Sequence, residues 1–220
     1  MKPLAVILVL GALSGCSGLL HSTAPAPQLY ALPPPEQLSG RAAQAAAARA
    51  GQPVGNARPT LRIARPTPGP GLDTDRIALL RPDNRFDYYA GARWNAPLPE
   101  LVADLERTVF RADGHWGAVA DERSSLNADY LLQTSIERFT ADYADAAGPP
   151  QVQVELHLLL IRRSDASLLG SFAASASVPA RENRMASVMT AFAQAAQTAV
   201  ITAQNKALLA LGAAQPLPAP

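Results

Sequence analysis

Three long segments in the second half of the chain set the strongest limit on the fold. They are residues 129–143, 152–163 and 168–178. The middle segment alternates apolar and polar side chains, beginning with Val152, Val154 and Leu156, and such alternation predicts a strand with one buried face. Because the connections between the segments are short, the three strands are expected to pair as an antiparallel meander.

Two amphipathic helices are also predicted. The first begins near Pro97 and Pro99, where proline suits the first helical turn, and it ends before Gly114. The second begins near Asn183, whose side chain suits an N-cap. Because each helix and the sheet have an apolar face to bury, the pattern predicts helices packed on a mixed sheet. Shorter strands are expected at 61–64, 76–80, 87–89 and around Val119.

The start of the chain has the pattern of a bacterial lipoprotein signal. Lys2 is followed by an apolar run to Leu13, then by small residues and by Cys16, the single cysteine of the chain. The run of about thirteen residues is roughly 20 Å long as a helix, too short for a permanent membrane span. The resemblance to lipoprotein signals implies cleavage before Cys16, lipidation of its sulfur, and acyl chains such as palmitate. An ordinary secretory signal is the alternative.

The same pattern predicts where the protein is and how it is divided. Ser17 stands where an aspartate typically goes with inner-membrane retention, so we expect the outer membrane, with the protein facing the periplasm. The predicted units are a signal peptide (1–15), a lipid anchor with a flexible Ala/Pro-rich tether (16–58), a folded domain (59–212) and a disordered tail (213–220).

Composition and motifs argue against several functions. A net charge of +1 with 17% charged residues gives no electrostatic basis for nucleic-acid binding. The three histidines His21, His115 and His157 have no partners at metal-ligand spacing. The sequence also lacks a Gly-x-Ser-x-Gly motif and a phosphate-binding glycine loop. We therefore expect no metal, no cofactor and no enzymatic activity, although distant residues can still assemble an active site.

An aromatic segment before the first helix is the candidate binding site. Tyr88, Tyr89, Arg93 and Trp94 lie within seven residues of one another, and aromatic residues with arginine are typical of partner-binding surfaces. The alternative is that a tyrosine and Trp94 cover the core above the helix. The sequence leaves both interpretations open.

These segments resemble the auxiliary lipoproteins of ABC-type transport systems, which include the paraquat-inducible C-type lipoproteins that accompany MCE (mammalian cell entry) proteins. The resemblance is carried by "YYAGARWNAPLPELV", "LNADYLLQTSIERFTADY", "ASVPARENRMASVMTAFAQA" and an early Tyr-x-Leu-Pro at Tyr30. It implies a three-layer α/β/α sandwich with a mixed sheet of about five strands, similar to the N-terminal domain of TolB. It supplies no catalytic residues.

The resemblance also implies a function. The expected protein is a non-enzymatic, lipid-anchored subunit held to the membrane through Cys16. It would bind an MCE-type protein and the ABC permease and ATPase that move phospholipids or other hydrophobic molecules between the membranes. A homo-oligomer is also compatible with the resemblance. One alternative is a lipid carrier that holds its ligand near Met185, Met189 and Phe192, and a less favoured one is a periplasmic hydrolase.

Overall fold

The protein is described by a computed structural model that covers residues 26–36 and 58–213. The predicted signal peptide, Cys16, Ser17, His21, the Ala-rich stretch at 41–50 and the tail beyond residue 213 lie outside the described residues. The strands are β1 (Gln28–Tyr30), β2 (Thr60–Ile63), β3 (Thr67–Pro68), β4 (Arg76–Leu80), β5 (Phe86–Trp94), β6 (Ala118–Ala120), β7 (Tyr130–Asp142), β8 (Gln151–Arg162) and β9 (Ser167–Pro179). The helices are α1 (Leu98–Ala112) and α2 (Met185–Ala213).

Strand β7 is the centre of the sheet. Along one edge it pairs with the whole of β8, from Tyr130↔Arg162 to Asp142↔Gln151. Along its other edge it pairs in turn with β2, β3 and β4, all parallel to it. Strand β9 continues the antiparallel series beyond β8, so the predicted meander is confirmed.

Both helices pack on the same face of the sheet. Glu106 of α1 contacts Thr134 of β7, and Phe192 of α2 contacts Phe139 of the same strand. Thr134 and Phe139 pair with Leu158 and Val154, which belong to one buried series along β8. The helices also contact each other.

The predicted α/β class with a mixed sheet and packed helices is confirmed. The described residues form nine strands rather than about five, because the connections before the meander contribute short strands to β7 and its neighbours. Both described helices lie on one side, whereas the resemblance implied helices on both. Along β8 the opposite face is half-exposed and holds Gln153, Glu155 and His157.

An aromatic cluster fixes α2 against the sheet. Phe139 of β7 and Phe192 of α2 stack with ring centroids 5.3 Å apart and planes 11° apart. Trp94 of β5 meets both rings edge-on, at 6.0 and 5.4 Å. Offset or edge-on aromatic pairs add about 0.5–1.5 kcal/mol each beyond the burial of their area, so this cluster joins three elements that are distant in sequence.

Part of the predicted tether is built into the sheet. Residues 28–30 pair in parallel with the end of β5, from Gln28↔Ala92 to Tyr30↔Trp94. Leu32 is buried, and the side-chain amide of Gln197 in α2 donates to the carbonyl of Pro33 at 2.8 Å. The prediction of a flexible tether is therefore wrong for residues 26–36, because a three-residue strand between prolines has no periodicity to reveal it.

Truncating Phe192 tests the aromatic cluster. We expect Phe192→Ala to lower the free energy of unfolding by about 3–5 kcal/mol, because the ring is fully buried and its loss leaves a cavity. Leu209→Ala on the same helix is the matched control, since Leu209 is 74% exposed and should cost no more than about 0.5 kcal/mol. Urea denaturation of both variants measures the difference, and equal losses would contradict the role assigned to the cluster.

Candidate functional site

Strand β5 carries the aromatic segment and contains a bulge. It pairs with β4 at Arg93↔Arg76 and again at Tyr88↔Ala78, so residues 89–92 of β5 lie opposite one residue of β4. Gly91 within this bulge has φ of 69°, a left-handed conformation that glycine adopts at little cost. The bulge shifts the strand between its two paired regions, and it separates the tyrosines from Arg93 and Trp94.

Trp94 belongs to the core. Its side chain is 2% exposed and packs in the aromatic cluster with Phe139 and Phe192. A residue buried to this extent has no surface for a partner protein, so its assignment to a partner-binding surface is wrong. The alternative interpretation, in which Trp94 covers the core, is right about its burial, but the ring packs against Phe192 of the second helix rather than above the first.

Arg93 is half-exposed but already paired. Its Nη1 donates to Asp75 Oδ1 at 2.7 Å, which ties β5 to the residue just before β4. The backbone N–H of Trp94 donates to the carbonyl of the same Asp75 at 2.7 Å. These contacts give Arg93 a role in holding the bulged strand.

The two tyrosines of β5 have different hydrogen-bond partners. The Tyr88 hydroxyl donates to the Gly71 carbonyl at 2.9 Å, and the Arg76 guanidinium stacks over its ring at 3.8 Å from the centroid. The Tyr89 hydroxyl lies 2.8 Å from that of Tyr143, which donates to Asn183 Oδ1 at 3.0 Å. Burial, together with the bond to Tyr143, raises the pKa of Tyr89 well above its usual range, so it stays protonated.

Tyr88 and Tyr89 line one surface cleft of about 500 Å³, whose other walls include Arg76, Arg81, Tyr143 and Asn183. Arg81 donates to Asp87 Oδ2 through Nε and Nη2, at 3.0 and 2.9 Å. The Tyr88 backbone N–H and then Arg81 hold the pKa of Asp87 below its usual range, so that pair is charged. Among the described residues Arg76 has no ion pair, which leaves its guanidinium available to an anionic group.

Sequence reasoning missed half of this cleft. Tyr143 and Asn183 are 54 and 94 positions from Tyr89; Tyr143 begins the β7–β8 turn, and Asn183 lies between β9 and α2, where it bonds to Tyr143 and to Ala147 of that turn. Asn183 was predicted to cap the second helix. Its amide donates instead to the Ala147 carbonyl at 3.3 Å, and the helix begins at Met185.

The residues singled out for catalysis or ligand binding do not come together. His157 is half-exposed on the sheet, 3.1 Å from the Ser171 hydroxyl, as a strand histidine was predicted to be. Phe192 is fully buried, while Met185 and Met189 are half-buried against the same core. Within residues 26–36 and 58–213 no three metal-binding side chains cluster, and neither helix has the length and apolar content of a membrane span.

One buried carboxyl was not predicted. Glu106 of α1 is fully buried, and its Oε1 accepts a hydrogen bond from the Thr134 hydroxyl at 2.7 Å. Its Oε2 has no hydrogen-bond partner among the described residues. Burial raises the pKa of this carboxyl to about 7, so it loses its proton near neutral pH.

The sequence of the chain matches the model of a known protein family. The model of the ABC-type transport auxiliary lipoprotein component matches residues 37–211, most of the chain. The match spans the cleft, the meander and both helices. A comparison with curated proteins finds no match.

Two solved structures share the fold. A protein of Xanthomonas campestris assigned to the DUF330 family is 26% identical, with a TM-score of 0.63, over 70% of this chain and 86% of its own. A second crystal structure, of an uncharacterised protein, is 12% identical with a TM-score of 0.59, over 83% of this chain and 99% of its own. At that identity the second likeness shows the fold alone.

The buried Glu106 makes stability depend on pH. Its pKa is raised from 4.5 in the unfolded chain to about 7 in the folded one, so the folded state holds this proton more tightly. Its contribution is therefore most favourable below pH 4.5 and is lost as the pH rises towards 7, by about 3 kcal/mol at 1.4 kcal/mol per pKa unit. Glu106→Gln keeps an acceptor for Thr134 without the titration.

We expect the wild-type protein to lose more stability than Glu106→Gln between pH 5 and pH 8 in urea denaturation. The variant should be the more stable of the two at pH 8. Parallel profiles for the two proteins would show that Glu106 does not titrate in this range.

Proposed function

We infer the function from one premise: the chain belongs to the family of ABC-type transport auxiliary lipoprotein components. We propose that it is a non-enzymatic subunit, lipid-anchored through Cys16 to the outer membrane and facing the periplasm. In this role it serves an MCE-linked ABC system that moves phospholipids or other hydrophobic molecules between the membranes. The observation that carries the proposal is the family match over residues 37–211, together with the lipoprotein signal that ends at Cys16.

The position of β1 supports a short attachment to the membrane. Residues 17–27 lie between Cys16 and Gln28, and a flexible segment of that length has an end-to-end distance of roughly 20 Å. The predicted 42-residue tether would have given about 35–40 Å. The β1–β5 edge of the domain is therefore expected to stay close to the anchoring membrane, and the rest of the domain to extend into the periplasm.

The cleft beside β5 is the proposed contact for the MCE-type partner. It combines two half-exposed tyrosines with Arg76, an arginine that has no ion pair among residues 26–36 and 58–213. Arginine and tyrosine are frequent in the residues that dominate binding energy at interfaces. Of the four residues singled out from the sequence, Tyr88 and Tyr89 keep this role, while Arg93 and Trp94 support the strand.

The lipid anchor is tested by Cys16→Ala. We expect this variant to be exported and folded, to appear in the soluble periplasmic fraction, and to fail to complement a deletion of the gene. His21→Ala, five residues further on, is the control and should remain with the outer-membrane fraction on a density gradient. Full complementation by the soluble variant would contradict a role for the anchor.

The partner surface is tested by Arg76→Glu. In a pull-down from detergent-solubilised membranes the wild-type protein should recover the MCE-type protein, and the variant should recover at least tenfold less, because the charge of Arg76 in the cleft is reversed. Arg85→Glu is the matched control, since Arg85 lies outside the cleft lining and has Asp83 4.0 Å away. If the wild-type protein recovers no MCE or ABC component, the proposed function is wrong.

A further inference from the structure

Strand β9 is a long edge strand without charged side chains. Its thirteen residues, Ser167–Pro179, pair with β8 alone among the described strands. Edge strands of natural proteins are commonly protected by charge, proline, bulges or short length, because their free amides attract other strands. Here a bulge at Leu169 and a proline at the last position leave a regular stretch between them.

The alternation of hydrogen bonds along β9 shows which of its backbone groups face away from β8. Ala180 N–H donates to the Pro150 carbonyl at 2.9 Å, so the even-numbered residues of β9 face β8. In an antiparallel ladder the alternate residues point away. The outward N–H and C=O groups therefore belong to Ser171, Ala173, Ser175 and Ser177, whose side chains are small and exposed.

One side chain is already hydrogen-bonded to an outward-facing carbonyl of β9. Lys206 of α2 donates from Nζ to the Ala173 carbonyl at 2.6 Å. It is the single lysine beyond Lys2 in a chain with nineteen basic residues, and among the described residues it has no carboxylate partner. The middle of the edge therefore carries one uncompensated positive charge.

The exposed side of α2 forms a shelf beside this edge. Thr202, Lys206 and Leu209 follow one another along the helix at spacings of four and three, which places them on one stripe. The start of β9 lies close to the same part of the helix, since a Cβ at Gly170 would be 3.0 Å from the Ala210 Cβ. Leu209 and Leu168, which are 74% and 57% exposed, are two of the four exposed large apolar side chains among the described residues.

We propose that the β9 edge accepts an added strand from a partner protein, and that this strand brings a carboxylate to Lys206 and an apolar side chain to Leu209. Backbone bonds to the four outward residues would supply binding, and the shelf on α2 would supply selectivity, as in other cases of strand addition. The carboxylate compensates the ammonium and draws it away from the Ala173 carbonyl, which frees that carbonyl for the incoming strand.

The same geometry disfavours a second copy of this chain as the occupant. Two β9 strands paired antiparallel about the centre of 171–177 would place Ala173 opposite Ser175 of the second chain. Both lysines would then approach each other at the middle of the new pairing, where like charges repel. A strand with a carboxylate would instead attract the positive charge of Lys206, so electrostatics favour an acidic partner strand over a second copy of β9.

The test uses the exported full chain carrying Cys16→Ala and two labelled nine-residue peptides. Both peptides alternate valine and threonine, and they differ in one central residue, glutamate or lysine. We expect the glutamate peptide to bind at least tenfold more tightly by fluorescence anisotropy and to slow amide exchange at Ser171, Ala173, Ser175 and Ser177. Lys206→Glu should reverse the peptide preference, Lys206→Arg should keep it, and Arg184→Glu before the other end of α2 should leave it unchanged.

Equal binding of the two peptides, or protection of amides elsewhere, would overturn the proposal. Concentration-dependent protection of the same four amides without peptide would also overturn it, because a second copy would then be the occupant. None of these three results bears on the cleft beside β5 or on the membrane anchor.

Discussion

The structure depends on strand β7. Its thirteen residues pair along one edge with β8, and along the other with three strands from earlier in the chain. Asp129, next to its start, accepts hydrogen bonds from the Thr60 N–H and hydroxyl, both at 2.8 Å, which fixes β2 to it. These bonds hold the pKa of Asp129 below its usual range. A change in the register of β7 would move every neighbouring strand and turn its buried series outward.

The aromatic cluster on β7 explains why Trp94 of β5 is buried while other residues of the same strand lie at the surface. Trp94 is required beneath α2, where it packs against Phe139 and Phe192. The bulge before it leaves Tyr88 and Tyr89 at the cleft. Burial of one aromatic residue thus positions two others beside Arg76. The sheet is open, so its long edge at β9 stays accessible while its inner face is filled by the helices.

Regular elements were the part of the fold that could be predicted. The alternation along β8 and the three-to-four spacing in α1 both reflect burial of one face. Such a pattern can be recognised within a single stretch of the sequence. Strand β1 could not be predicted, because three residues pair with β5 through their backbone and leave no pattern. For a similar reason, only some residues of the cleft beside β5 could be predicted. Tyr88 and Tyr89 are adjacent in sequence, whereas Tyr143 comes from the turn after β7 and Asn183 from the connection before α2. Glu106 could not be predicted to be buried, because its partner Thr134 is distant in sequence.

The sequence by itself determined the meander, the two helices and the family, because periodicity and short motifs are local properties of the chain. The tertiary structure decided what depends on neighbours distant in sequence. It placed residues 28–30 in the sheet, Trp94 in the core, Arg76 over Tyr88 and Lys206 on the edge of β9. Each of these positions is set by backbone pairing or side-chain packing between distant segments, which no single stretch of sequence records.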